Sequence, residues 1–211
     1  MFGTHGLGIF LAASFFVWIT PGPDTMYIVT RSVTQGRRAG LFSALGIGAG
    51  CVLHTLLAAF GLSVLLATSA WAFAVFKTVG AFYLIYLGVR AFRSHHQPEV
   101  AKPQPNIGDS AIFRQGFLTN AFNPKVAIFF LAFLPQFVDS SIAPGPLPFL
   151  FLGAVFVIGG TIWCVLIALL ASSARMMMQR NSLSQNILHR VAGCVYIALG
   201  VHLLRSRFQP S

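Results

Sequence analysis

Long apolar stretches separated by short polar segments run along almost the whole chain. Between Leu41 and Val89 the only ionisable side chains, apart from Cys51 and the tyrosines, are His54 and Lys77. That length is enough for two helices that cross a bilayer, each of roughly 20 residues. Further stretches of the same character are Leu7–Ile19, Ile112–Val138, Leu147–Ala171 and Ile187–Leu204. The pattern therefore predicts about six transmembrane helices.

Composition supports a membrane protein. Hydrophobic residues make up 56% of the 211 residues, charged residues only 9%, and the mean hydropathy is +0.77. Soluble domains carry about a quarter charged residues. A large soluble helical core would also need polar faces on its helices, which these stretches lack. We expect an all-α polytopic membrane protein.

Two helix breakers interrupt the apolar stretches at corresponding places. Pro21-Gly22-Pro23 ends the first stretch, and Asn123-Pro124 interrupts the fourth. Lipid cannot satisfy the backbone groups that a break sets free, so breaks at membrane depth occur where the backbone is buried in protein or lines a cavity. The breaks therefore indicate a site inside the membrane.

The polar segment 94–111 contains three prolines and predicts a linker between two halves, 1–93 and 112–211. Each half then has three spans, of which the first is broken. An odd number of spans places the two halves in opposite orientations. Paired breaks in two such halves are typical of the binding site of a secondary transporter.

The net charge of +10 is distributed unevenly. Segments 68–71 and 139–146 contain no lysine or arginine. Basic residues lie between spans one and two (Arg31, Arg37 and Arg38), at or between the ends of spans three and four (Arg90, Arg93, Lys102 and Arg114), and between or at the edges of spans five and six (Arg175, Arg180 and Arg190). The positive-inside rule then predicts cytoplasmic basic loops and outward-facing termini. Arg205 and Arg207 conflict with this orientation. The charge indicates anionic lipids as partners and no nucleic acid.

Asp24 is the one acidic residue outside the predicted loops, since Glu99, Asp109 and Asp139 lie in loops. Carboxylates within the membrane mark a substrate path, a proton relay or an ion pair. Either Thr20 or Gly22 is expected to cap a new half-helix, with Pro21 or Pro23 in its first turn, where a carboxylate is favourable.

Two roles for Asp24 remain open. In the structural role it is a capping residue that pairs with Arg31 or Lys125. In the functional role it binds a substrate ammonium or carries a proton.

The second break begins another half-helix. Asn123 accepts hydrogen bonds from free N–H groups, and Pro124 fits the first turn. Such an N-terminus attracts a carboxylate, whereas a cation in its first turn is unfavourable without a negative group nearby. Lys125 therefore pairs with a protein acid, holds an anionic substrate group, or extends to the membrane interface.

Other polar residues within the spans allow two interpretations each. His54 either relays protons or donates a hydrogen bond to a neighbouring helix. Lys77 either reaches the outer interface or contributes to the cavity. The three cysteines form no metal or redox pattern, and we expect Cys51, Cys164 and Cys194 to serve in apolar packing. The two adjacent histidines, His95 and His96, lie in the linker. We expect no metal site and no cofactor.

The motifs resemble a known family. Pro21-Gly22-Pro23-Asp24, the segment Arg31–Gly40 and the segment Asn123–Val138 are similar to the LysE/RhtB family of amino-acid exporters. A layout of six spans with a polar linker after the third is also similar. The resemblance implies proton-coupled export of small polar amino acids or derivatives, such as homoserine or threonine, across the inner membrane.

Other function classes find less support. No catalytic motif of a membrane-embedded enzyme is present, so we expect no enzymatic activity. A channel would need a filter or ring motif, and it remains an alternative together with a non-transport membrane protein. The missing P-loop excludes ATP-driven pumping by this chain alone. The expected partners are an amino acid, protons, lipids and a second copy of the chain.

Overall fold

The computed structural model describes residues 3–62, 106–139 and 145–173, with isolated helical positions between 71 and 89 and at 201. Helix α1 spans Leu7–Ile19, α2 Pro23–Gln35, and α3 Arg37–Leu57, which a π-helical turn, Ala58–Leu62, continues. Helix α4 spans Asp109–Ala121, and α5 spans Pro124–Ile128. After α5 the chain continues as a π-helical turn, Phe129–Phe133, and then as a 3₁₀ turn, Leu134–Phe137. Helix α6 spans Leu147–Ser173.

Several predictions from the sequence fall outside the described residues. They concern most of the third and sixth spans, linker residues 94–105, and the residues Lys77, Arg90, Arg93, His95, His96, Lys102, Arg175, Arg180, Arg190, Cys194, Arg205 and Arg207. Helix α4 begins at Asp109, inside the predicted linker 94–111.

The described helices include candidate membrane spans of two kinds. Arg37–Gly61 and Leu147–Ser172 are each long and apolar enough to cross a bilayer. Helices α1 and α2 form one bent pair, with an angle of 49°, and α4 with the helical segment Pro124–Phe137 forms another, with an angle of 46°. The bends lie at the two predicted breakers. The predicted all-α polytopic membrane fold with two broken helices is confirmed.

The two broken spans run antiparallel. At one end, which we call the terminal end, the Asp139 N–H donates to the Gly3 carbonyl at 2.8 Å. At the other, the charged end, Arg38 just after α2 forms a 2.7 Å salt bridge with Asp109 at the start of α4. Antiparallel broken spans are the arrangement that inverted repeats produce.

Helix α3 contacts α4 through glycines. A Cβ atom on Gly46 would overlap the carbonyl oxygen of Phe113, and one on Gly50 would lie 2.7 Å from the side-chain oxygen of Asn120. Small residues allow helix backbones to approach closely within a membrane. This contact determines where Asn120, which faces the first break, can lie.

Arg31 does not lie in a loop between spans, as the charge pattern suggested. Helix α2 continues through Arg31, which is only 4% exposed, and Gly36, with φ of +89°, turns the chain into α3. The prediction was wrong because Leu7–Ile19 is only half a span. Its 13 residues rise about 20 Å, less than the roughly 30 Å of a bilayer core.

A cluster of buried phenylalanines fills the bundle from the level of the breaks towards the terminal end. Phe129 stacks on Phe156 with ring centroids 4.9 Å apart, and Phe137 meets Phe10 edge-on at 5.4 Å. All four side chains are at most 5% exposed. Their packing joins α1, α6 and the segment after α5 into one core.

We expect Gly46→Ala to destabilise the protein, because its new methyl group overlaps the Phe113 carbonyl. Overpacking of this kind costs about 1–3 kcal/mol. The thermal midpoint of the purified protein in detergent measures the effect. Gly8→Ala in α1 is the matched control, since a Cβ there meets no atom within 4 Å. Equal midpoints for the two variants would show that the α3–α4 contact is looser than described.

Candidate functional site

Asp24 lies at the point where the two broken spans meet. Gly22, not Thr20, is the N-cap of α2, Pro23 occupies the first turn, and Asp24 follows with 8% exposure. Its Oδ2 atom accepts hydrogen bonds from the side-chain amides of Asn120 at 2.9 Å and Asn123 at 2.8 Å. Within the described residues its Oδ1 atom has no hydrogen-bond partner.

Asn123 connects the two breaks with one side chain. Its Oδ1 accepts from the backbone N–H of Lys125 at 3.0 Å, while its Nδ2 donates to Asp24. Pro124 occupies the first turn of α5. The predicted helix cap is therefore present. The amide orientation is fixed, because a flipped group would place oxygen against the carboxylate and NH₂ against an N–H.

Lys125 reaches back to the first break. Its Nζ donates to the carbonyl oxygens of Val17 at 3.0 Å and Thr20 at 2.9 Å, at the end of α1. A cation is favourable at a helix C-terminus, where carbonyl groups lack helical partners. The alternative that Lys125 extends to the membrane interface is wrong, because the residue is 9% exposed and bonded inside the bundle.

Each break therefore completes the other. The fourth span supplies an ammonium group to the carbonyls at the end of α1, and the first span supplies a carboxylate to two amides of the fourth. Gly22 leaves room for this exchange, since a Cβ there would lie 3.2 Å from the Lys125 Nζ. The Thr20 hydroxyl donates to the Phe16 carbonyl at 2.6 Å, and Pro21 lies in the break between α1 and α2.

Arg31 lies apart from this centre. Its Nη2 donates to the Gln115 Oε1 at 2.9 Å, and its guanidinium lies 5.7 Å from the Tyr27 ring centroid. It follows Asp24 by seven positions along α2, a rise of about 10 Å. Among the described residues no salt bridge joins Asp24 to Arg31 or to Lys125. The ion pairs suggested for a purely structural Asp24 are therefore not formed there.

His54 extends the polar centre towards α3. Its Nε2 lies 3.0 Å from the backbone carbonyl of Asn120, whose side chain donates to Asp24, and its ring stacks on Phe130. His54 is 7% exposed. The suggested contact with a neighbouring helix is thus formed, while a proton-relay role stays a prediction.

A cavity of about 40 Å³ adjoins Asp24 and Lys125. Trp18, Cys51, Trp163 and Cys164 are also part of its wall. The volume is sufficient for water, but it is far below the several hundred Å³ of a typical small-molecule site. In this conformation the cavity therefore holds only water-sized space. Among the described residues no group of three His, Cys, Asp or Glu could hold a metal ion.

The sequence interpretation missed Asn120, Trp18 and Trp163. Asn120 had a recognisable signal, since it is a second amide within the span and lies one helical turn before Asn123. The tryptophans had none, because a Trp in an apolar stretch is equally typical of lipid contact or core packing.

We expect Lys125→Met to lower stability, because methionine keeps much of the chain length but leaves the Val17 and Thr20 carbonyls without their donor. Loss of hydrogen bonds from a charged group corresponds to about 1–3 kcal/mol. The thermal midpoint in detergent is the measurement. Arg37→Met removes a cation that is exposed at the charged end, and it is the control. Similar midpoints would mean that Lys125 is not required to hold the two breaks together.

Comparisons with known proteins agree with this architecture. Residues 15–207 match the LysE type translocator family. The chain is 27% identical over 208 residues to the uncharacterized membrane protein YrhP of Bacillus subtilis, covering 93% of this chain and 97% of that one. It is 29% identical over 143 residues to the leucine efflux protein of Salmonella typhimurium, covering 66% and 68%. No solved structure matches. The chain belongs to the LysE type translocator family.

Proposed function

We propose that the protein is a secondary active exporter of small amino acids or their derivatives, with homoserine- and threonine-like compounds as first candidates. The observation that carries this proposal is the meeting of two antiparallel broken spans at one buried carboxylate, Asp24. Membership of a translocator family and similarity to a leucine efflux protein support amino-acid export. Leucine therefore belongs in the substrate panel.

The environment of Asp24 favours competition between two cations. Its described partners are neutral amides, and no described salt bridge balances its charge. A buried carboxylate without a direct ion-pair partner is unfavourable, so a proton or a substrate ammonium stabilises it. One carboxylate binds only one of these two cations at a time. Substrate is therefore released on the side of the membrane from which protons bind Asp24. Exchange of this kind couples export to proton entry.

Alternating access requires the cavity to widen. About 40 Å³ does not accommodate an amino acid, and the phenylalanine cluster fills the bundle towards the terminal end. In the proposed cycle we assign this conformation to a state that does not hold substrate. Opening towards the charged end would admit substrate, and opening through the cluster would release it.

The orientation in the inner membrane is part of the proposal. Arg37, Arg38 and Asp109 lie at the charged end, which the positive-inside rule assigns to the cytoplasm. The N-terminal segment and Asp139 then face the outside.

The orientation can be tested with Arg37→Cys, because residue 37 is exposed at the charged end. A membrane-impermeant maleimide should label this cysteine in everted vesicles and not in intact cells. The unmodified chain, with its native cysteines, is the background control. Labelling in intact cells would reverse the assignment of the two ends.

Asp24→Asn should abolish export driven by an imposed pH gradient, because the amide does not ionise. It should also reduce amino-acid exchange by about tenfold or more, because the amide does not form an ion pair with an ammonium. Efflux and counterflow of homoserine, threonine and leucine from proteoliposomes measure both. Asp109→Asn, which removes only a surface ion pair, is the control.

The two readouts separate the roles of Asp24. Exchange that persists without gradient-driven export would limit Asp24 to proton coupling. Wild-type rates in both assays would make Asp24 a structural cap, with His54 the next group to test. A thermal midpoint close to that of the wild type confirms that the variant is folded.

A further inference from the structure

We propose that the indole N–H groups of Trp18 and Trp163 bind the carboxylate of the exported amino acid, while the Oδ1 atom of Asp24 binds its ammonium. This inference rests on the proposed function and deepens it, because it specifies how one cavity recognises both ends of an amino acid.

The first observation is a set of buried polar atoms without partners that belong to residues lining one cavity. Trp18 Nε1, Trp163 Nε1 and Asp24 Oδ1 are all buried and make no hydrogen bond within the described part of the chain. All three residues line the same cavity. Buried polar groups are nearly always paired, so three unpaired ones in residues that line a single cavity need an explanation.

The second observation is the position of the two indoles, one from α1 and one from α6, beside the same part of α6. A Cβ on Gly160 would lie 3.0 Å from the Trp18 Nε1, so the absence of a side chain there leaves room for the indole nitrogen. Gly160 and Trp163 both line the cavity and are three residues apart, which places them on one face of the helix. The two tryptophans therefore border the cavity on the same side of α6.

The unpaired atoms match the two ends of an amino acid. An indole nitrogen only donates, and a carboxylate only accepts. A free carboxylate oxygen of Asp24 accepts, and an ammonium only donates. The indole–carboxylate pairing has one charged member and the Asp24–ammonium pairing has two, which strengthens both hydrogen bonds, and the largely apolar wall strengthens them further.

The donors that the sequence suggested for the substrate carboxylate already have protein partners. The Lys125 amine donates to the Val17 and Thr20 carbonyls, and the N-terminus of α5 is capped by Asn123. A carboxylate at either place would compete with these bonds. The indole groups offer donors that no described residue uses.

Water is the alternative hydrogen-bond partner of these atoms. About 40 Å³ holds water, which needs two to four polar partners, and the unpaired atoms would supply them. The test must therefore distinguish an amino-acid carboxylate from water at the indole groups.

Indole NMR of the full-length protein makes that distinction. The chain has three tryptophans, so ¹⁵N-Trp labelling in nanodiscs gives three indole N–H signals. Trp71, which is 77% exposed, is an internal control. Threonine and leucine should shift the signals of Trp18 and Trp163 and leave that of Trp71 unchanged. Threoninamide and leucinamide keep the ammonium but lack the carboxylate, and they should not reproduce the shift.

Transport by single variants gives an independent measure. Trp18→Phe and Trp163→Phe keep an aromatic ring and remove the N–H, so each should raise the half-saturating substrate concentration about tenfold or more. Trp71→Phe should behave as wild type. A variant that does not fold leaves the decision to the NMR experiment, which uses the unaltered chain.

The outcomes separate this inference from the proposed function. Export by the wild type, with unshifted indole signals, overturns the inference and leaves water as the partner of the indoles. Equal shifts with amino acids and their amides also overturn it. If the wild type exports none of the tested amino acids, the proposed function fails first.

Discussion

Each of the two helix breaks supplies the polar groups that the other one lacks, and the rest of the described structure depends on this exchange. A broken helix within a bilayer leaves carbonyl and N–H groups that lipid cannot satisfy. Here the Lys125 ammonium binds the carbonyls at the end of α1, and the Asp24 carboxylate binds the amides of Asn120 and Asn123. Neither break is complete without the other span. The antiparallel course of the spans and the close glycine contact between α3 and α4 follow from the need to bring these groups together.

The arrangement also keeps two opposite charges near each other without a direct salt bridge in the described region. A direct Asp24–Lys125 pair would satisfy each group with the other and leave neither for a ligand. Instead, backbone carbonyls bind the ammonium and neutral amides bind one carboxylate oxygen. In the described region the direct partners of Asp24 are thus neutral dipoles, and the Lys125 charge acts on it only from a distance. Such an environment makes a mobile cation, whether a proton or an ammonium, a favourable addition to the site.

The sequence revealed the features that depend on local chemistry. Proline and glycine marked the breaks, and Asn123-Pro124 predicted a helix start whose cap the structure contains. It did not reveal the partners of Lys125, because these are backbone carbonyls 105 and 108 positions away, and carbonyls carry no sequence signal. Arg31 was misplaced because half of a bent span resembled a whole one. The role proposed for the indole groups of Trp18 and Trp163 depends on the cavity that these residues share with Asp24, and only the structure shows that cavity.

The two roles that the sequence left open for Asp24, structural cap and ligand group, correspond to its two oxygen atoms. The Oδ2 atom holds Asn120 and Asn123 and so keeps the broken spans together. The Oδ1 atom has no described partner, and Asp24 lines the cavity. In the proposed cycle, proton and substrate would exchange at Oδ1 while the bonds to Oδ2 persist. The cavity wall formed by α6, with Phe156, Gly160 and Trp163, contributes nothing to those Oδ2 bonds. A movement of α6 would therefore widen the cavity without separating the two breaks.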